Sequence, residues 1–234
     1  MSNINPSIIG VSENTWALVD SRYPHRWLDA WGNVDKDIVN TYRVADWTVT
    51  NTGTSPVAAS ILPDAKILVT SENVDFAGDN MQILGTRFKL DTGKPLYFGA
   101  KLTVSNATQC DLVVGLAGTD STLTAASGTH AIAVGASFVG FTKLDEATTA
   151  YFKTITTATE GNSATAFTLD TSAHWYEFYF DGVGLHAYID GVEIAEFGSS
   201  IPTGVLTPSI CFRAGTTTAV TCTIHEFKTI AVRG

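Results

Sequence analysis

Carboxylates are the commonest catalytic side chains of glycan chemistry, and two of them must converge on one face, about 5–10 Å apart, to share the work of acid and base or nucleophile. The tightest acidic groupings in this chain are Asp145-Glu146 and Asp35-Lys36-Asp37. Adjacent strand residues point to opposite faces, so neither spacing makes such a pair, and both read as solvated loop charge. The run Asp75-Phe76-Ala77-Gly78-Asp79-Asn80 is the one stretch that offers several hard oxygens for a cation such as calcium. A turn whose Asp and Asn side chains bond the local backbone accounts for it equally well. The five histidines, His25, His130, His174, His186 and His225, show no i, i+4 pair and no cysteine neighbour at zinc spacing. Cys110 has no basic flank to lower its pKa and so lacks the signature of a nucleophile. Gly182-Val183-Gly184 follows a strand but opens another strand, whereas a phosphate cradle needs a helix N-terminus. No catalytic, metal-binding or cofactor-binding residue is therefore assigned, and an enzyme is not expected.

The elements around these residues are strands. Trp175–Phe197, WYEFYFDGVGLHAYIDGVEIAEF, reads as three short strands separated by Asp181-Gly182 and Asp190-Gly191. Asp190-Gly191 sits between two alternating runs, and a two-residue hairpin turn needs positive φ at both central positions, which Asp-Gly tolerates well. The acidic residues of this meander lie in turns or alternate singly with apolar ones, an arrangement that speaks for architecture. Its aromatic residues, Trp175, Tyr176, Phe178, Tyr179 and Phe180, resemble a sugar-stacking platform, but successive strand positions face both ways and at least half of them must fill a core. From Trp47 onward, short runs bounded by Gly, Pro, Asn, Asp or Ser give about twelve or more strands. In Tyr97–Val104, Phe98, Ala100, Leu102 and Val104 share one face. The expected fold class is all-β, a two-sheet antiparallel jelly-roll sandwich.

Composition sets the outer limits. With 234 residues, 44% hydrophobic and 16% charged, the chain can bury a core without metal or disulfide staples. A formal net charge of -9 argues against a nucleic-acid partner and against an anionic membrane surface. Three cysteines fit reduced thiols better than a disulfide framework, although Cys211 and Cys222 flank a turn and could face each other across a hairpin. The opening residues, MSNINPSIIGVSEN, contain no basic start followed by an apolar run, so no secretory signal is expected.

Residues 1–45 differ from the rest and are read as an N-terminal arm, with residues 46–234 forming the sandwich. The arm holds Trp16, Trp27 and Trp31 beside Tyr23, and large aromatics are enriched among residues that anchor protein interfaces. These four are the candidate interface residues, with burial against the sandwich as the alternative. Trp27, Trp31, Val34 and Ile38 have helix-like spacing interrupted by Gly32-Asn33, which allows at most two short helical turns.

The run HWYEFYFDGVGLHAYIDGVEI resembles the strand meander of the concanavalin A-like lectin/glucanase superfamily in its laminin-G-like form, on Trp175, Tyr176, Phe178, Asp181, Gly182, Tyr188, Asp190 and Gly191. The Glu-x-Asp-x-x-Glu strand of the family's glucanases does not occur here. A second stretch, Phe88–Leu123, is similar to virion-associated proteins of tailed bacteriophages, through Gly93–Phe98, Ser105–Asp111, Val114–Ala117 and Thr119-Asp120, with Leu206–Ile210 extending the match. The resemblance implies a bacteriophage structural protein, a capsid decoration or cement protein on the outside of the head shell. Its partner would be the major capsid protein, its location the virion after synthesis in the host cytoplasm, and its state a homo-oligomer, with a trimer favoured by head geometry. The rival expectation is a carbohydrate-binding module of a phage tail or receptor-binding protein. A glycan hydrolase would need two carboxylates from distant strands to converge.

Overall fold

A computed structural model describes residues 47–53, 60–62, 66–83, 88–120, 122–124, 137–157 and 159–231. Among these, fourteen strands account for the regular structure and no residue is helical. In chain order they are β1 (Trp47–Asn51), β2 (Ser60–Ile61), β3 (Ile67–Thr70), β4 (Gly78–Ile83), β5 (Leu96–Val104), β6 (Cys110–Ala117) and β7 (Phe138–Lys143). The second half holds β8 (Thr149–Thr156), β9 (Thr159–Thr168), β10 (His174–Phe180), β11 (Leu185–Ile189), β12 (Val192–Phe197), β13 (Thr207–Ala214) and β14 (Thr221–Ala231).

Two seven-stranded antiparallel sheets result, ordered β1-β4-β13-β6-β7-β8-β9 and β12-β11-β10-β5-β14-β3-β2. This is the jelly-roll sandwich that the strand pattern predicts. The alternation in β5 decides its orientation: Phe98, Ala100, Leu102 and Val104 enter the core between the sheets, while Tyr97, Gly99 and Lys101 look outward. Aromatic contacts then bolt one sheet to the other. Phe98 stacks on Phe178 at 4.9 Å within the second sheet, and Phe152 and Phe141 of the first sheet reach across to Phe178 and Tyr176 at 5.8 and 5.5 Å. Each such ring, fully buried, contributes about 1.5–3 kcal/mol of transfer free energy, with roughly 0.5–1.5 kcal/mol more from ring geometry.

Local chemistry explains the turns. Asp190 and Gly191 both have positive φ, 52° and 80°, as the two-residue turn between β11 and β12 requires. Between β10 and β11, the Asp181 carboxylate accepts the N–H groups of Val183 and Gly184, both at 2.7 Å, and pins a tight loop. In the first sheet Gly115 lies opposite Gly140, and a Cβ on Gly115 would run into the Val139 carbonyl and the Gly140 Cα.

Two expectations need correction. Cys211 and Cys222 do not face one another: Cys211 is on β13 and Cys222 on β14, which belong to different sheets, and both thiols are free and buried. The connection between them crosses from one layer to the other, so no hairpin forms there. The second concerns residues 158–173, between the Ala150–Thr157 run and the aromatic meander, where the sequence pattern marks a strand only at Phe167–Leu169. The structure has a ten-residue edge strand, β9, whose small polar residues are largely exposed and therefore carry no apolar alternation.

Candidate functional site

Trp16, Tyr23, Trp27 and Trp31, the candidate interface residues, lie outside the described residues, as do His25, His130 and Asp35-Lys36-Asp37. The chemistry that can be placed is on the two outer faces of the sandwich and on the loops that join them.

On the outer face of the first sheet, register sets Asp111 of β6 opposite Arg213 of β13. The Arg213 guanidinium donates to Asp111 Oδ2 from Nη2 at 2.8 Å and from Nε at 3.2 Å, with both side chains buried. Asp111 Oδ1 accepts the Asp145 N–H at 2.8 Å. At the far edge, Glu160 of β9 accepts from Lys153 of β8 at 2.7 Å. Asp111 and Glu160 sit on strands three positions apart, a lateral separation of roughly 14 Å at the usual strand spacing. Glycoside hydrolysis uses a pair at about 5–10 Å. Between them Val113, Ala117, Phe138, Ile155 and Cys211 form a second buried apolar cluster with Leu123 packed into it, interleaved with the buried polar Thr142 and Ser209.

The outer face of the second sheet is more polar but equally closed. Tyr97 donates its hydroxyl to Glu177, which is fully buried. Lys228 and Lys101 place their ammonium groups 5.5 and 5.9 Å from the Trp175 ring centroid. Trp175 is only 5% exposed and Tyr179 4%, while Tyr176, Phe178 and Phe180 belong to the core. The aromatic meander thus offers no open stacking surface. Burial drives the Tyr179 hydroxyl up to about 12.

The Asp75–Asn80 run does not converge on a cation. Asp75 is exposed in a turn, and β4 then sends Asp79 and Asn80 to opposite faces. Asn80 Nδ2 donates to the Asp120 carbonyl at 2.8 Å. Asp79 Oδ1 accepts from Asn51 Nδ2 at 3.2 Å, and Oδ2 has no hydrogen-bond partner. Burial, reinforced by the Glu72 charge and only partly offset by the Asn51 bond, raises the Asp79 carboxyl to about 6. Burial also pushes the Cys110 and Cys211 thiols up to about 11, despite the Lys143 ammonium beside the first. Lys143 itself bonds the carbonyls of Thr108 and Cys110 at 2.7 and 2.6 Å.

The histidines divide by environment. His225 bonds the Thr103 hydroxyl at 2.7 Å. His174 is clamped between Asp190 at Nδ1, 2.7 Å, and Asp170 at Nε2, 2.9 Å. Burial alone would lower its pKa, but the hydrogen bonds to the two carboxylates outweigh this and raise it. His186 of β11 has Glu193 Oε1 at 3.0 Å from Nδ1 and Asp181 Oδ2 at 3.9 Å from Nε2. With Glu196 it forms a trio whose ligand atoms lie within 4.8 Å of one another.

Single alternation along β12 would have put Glu193 and Glu196 on opposite faces. A register shift between Ala187 and Tyr188 instead pairs Tyr188 with Glu193 and His186 with Glu196, so both acids share the His186 face. Helical and zinc-finger spacings could not reveal this grouping. The available signal was the Asp-Gly turn, which folds residue 196 back beside residue 186.

No protein-family model matches the sequence, and no curated protein sequence matches it. Solved structures do share its fold. A Bacillus licheniformis beta-glucanase superposes with a TM-score of 0.60 at 13% identity, over 87% of this chain and 99% of that one. An endo-1,3-beta-glucanase from Streptomyces sioyaensis gives 0.56 at 10%, over 82% and 91%. The carbohydrate recognition domain of Emp47p gives 0.55 at 13%, over 86% and 97%. The fold is that of the concanavalin A-like glucanases and lectins, as the Trp175–Phe197 meander implied.

Proposed function

We propose that this chain is a non-enzymatic structural protein of a tailed-bacteriophage particle, a decoration or cement protein seated on the outside of the head shell. The observation that carries the non-enzymatic part is the filled outer face of the first sheet. Asp111 is committed to Arg213, Glu160 to Lys153, and the space between them is occupied by the Val113, Ala117, Phe138, Ile155 and Cys211 cluster. Among the described residues of that face, Asp111 and Glu160 stand on strands too far apart to work as a glycosidic acid pair. The virion assignment is supported by the likeness of Phe88–Leu123 to phage virion proteins. The acidic balance is compatible with a basic protein surface as partner, here the major capsid protein.

The mechanism is mechanical. Many copies, trimeric at three-fold positions of the shell, each bury modest area, and multiplicity turns weak contacts into a durable clamp. Deleting residues 1–40 tests the contribution of Trp16, Tyr23, Trp27 and Trp31: a variant that folds but no longer decorates shells supports docking through the arm, whereas one that unfolds assigns these residues to the sandwich. Consistent capture of one glycan on an array would instead favour a carbohydrate-binding module of a tail or receptor-binding protein.

A further inference from the structure

We propose that the β11–β12 hairpin is a binding site for a divalent transition-metal ion of the zinc type, with His186, Glu193 and Glu196 as its protein ligands. One imidazole nitrogen and two carboxylates are a donor set that zinc accepts, with bonds of about 2.0–2.2 Å. Two ligand atoms on one ion can therefore be at most about 4.4 Å apart. The three here already lie within 4.8 Å, and small rotations of two long, solvent-facing glutamates close the remainder.

Three features separate this trio from ordinary surface charge. The first is the bulge, which costs a regular pairing position in β12 and has the effect of bringing Glu193 and Glu196 onto the His186 face. The second is the other side of the ring. Asp181 Oδ2 stands 3.9 Å from Nε2, an ion-pair and not a hydrogen-bond distance, on the side where metal-bound imidazoles characteristically have a carboxylate. Asp181 is itself anchored by the Val183 and Gly184 N–H groups, so this charge is held in place. The third is the contrast with His174, whose two ring nitrogens both bond carboxylates and leave no lone pair for a metal. At His186 only Nδ1 is within hydrogen-bond distance of a carboxylate, that of Glu193, and an ion can take the place between them with Glu196 close by. Imidazole favours zinc, nickel, copper or cobalt over calcium and magnesium, which take oxygen ligands. Three protein ligands leave a fourth tetrahedral position for water or for a donor from another molecule.

Isothermal titration of the full, tag-free chain with zinc chloride, and separately with calcium chloride, tests the assignment. One saturable zinc site is expected, with calcium binding at least tenfold weaker. Cobalt substitution should give the intense visible absorption of a tetrahedral site. His186→Ala should lower zinc affinity at least tenfold and abolish the cobalt spectrum, and Glu196→Gln should weaken binding while keeping the hairpin's pairing. His174→Ala should leave zinc binding unchanged. Absence of zinc binding, equal affinity for calcium, or zinc binding that survives both His186→Ala and Glu196→Gln in folded protein would overturn the proposal.

Discussion

Asp79 shows how burial turns one carboxylate into a pH sensor of stability. Its pKa is raised from 3.8 to about 6 in the folded chain, chiefly by desolvation. An acid whose folded pKa exceeds its unfolded value is best tolerated protonated, so its cost is absent below the lower value and grows as pH rises towards the higher one. Roughly 3 kcal/mol is at stake if the whole shift is expressed. Asp79→Asn should therefore stabilise the protein above pH 6, by about 1–3 kcal/mol, and flatten the stability profile between pH 4 and 6. Urea midpoints at several pH values would show this, and an unchanged slope would exclude Asp79 as its source. Asp111 and Arg213 carry the opposite lesson. Removing one member, as in Arg213→Met, leaves a buried charge and should cost about 3–5 kcal/mol, whereas replacing both with apolar residues should recover much of it. This pairing was not evident in the sequence, since Asp111 and Arg213 are 102 positions apart and meet only through the β6–β13 register.

At the scale of elements, what could be read beforehand was what neighbours decide. The Asp190-Gly191 turn and the Phe98, Ala100, Leu102, Val104 face of β5 follow from residues in immediate sequence and stand as expected. Gly191→Ala should destabilise by about 1–2 kcal/mol, because a Cβ is penalised at positive φ, and the loss should appear as a lower melting temperature. Features set by distant partners were opaque. The bulge that unites Glu193 with Glu196 depends on how β12 pairs with β11, and the separation of Cys211 from Cys222 depends on which sheet each strand joins. His174 links elements too: through Asp190 and Asp170 it fastens the start of β10 to the β11–β12 turn and to the segment after β9. Its pKa is raised on folding, so its contribution is complete below the unfolded value, about 6.5, and fades as pH climbs through the folded one. His174→Ala should thus be more damaging at pH 5.5 than at pH 9 in the same thermal melt.

For the whole molecule, the sandwich is shared with glucanases and a carbohydrate recognition domain, yet one fold supports many functions and activity resides in the site. Here the outer face of the first sheet carries a buried apolar cluster, and its Asp111 and Glu160 carboxylates are paired with cations. On the proposed reading the chain offers surface, and repeated copies of a surface suit a shell. Quantitative mass spectrometry of purified phage particles tests this most directly. The account predicts copies in fixed, high proportion to the major capsid protein; absence from the particle, or a few copies confined to the tail tip, would contradict it.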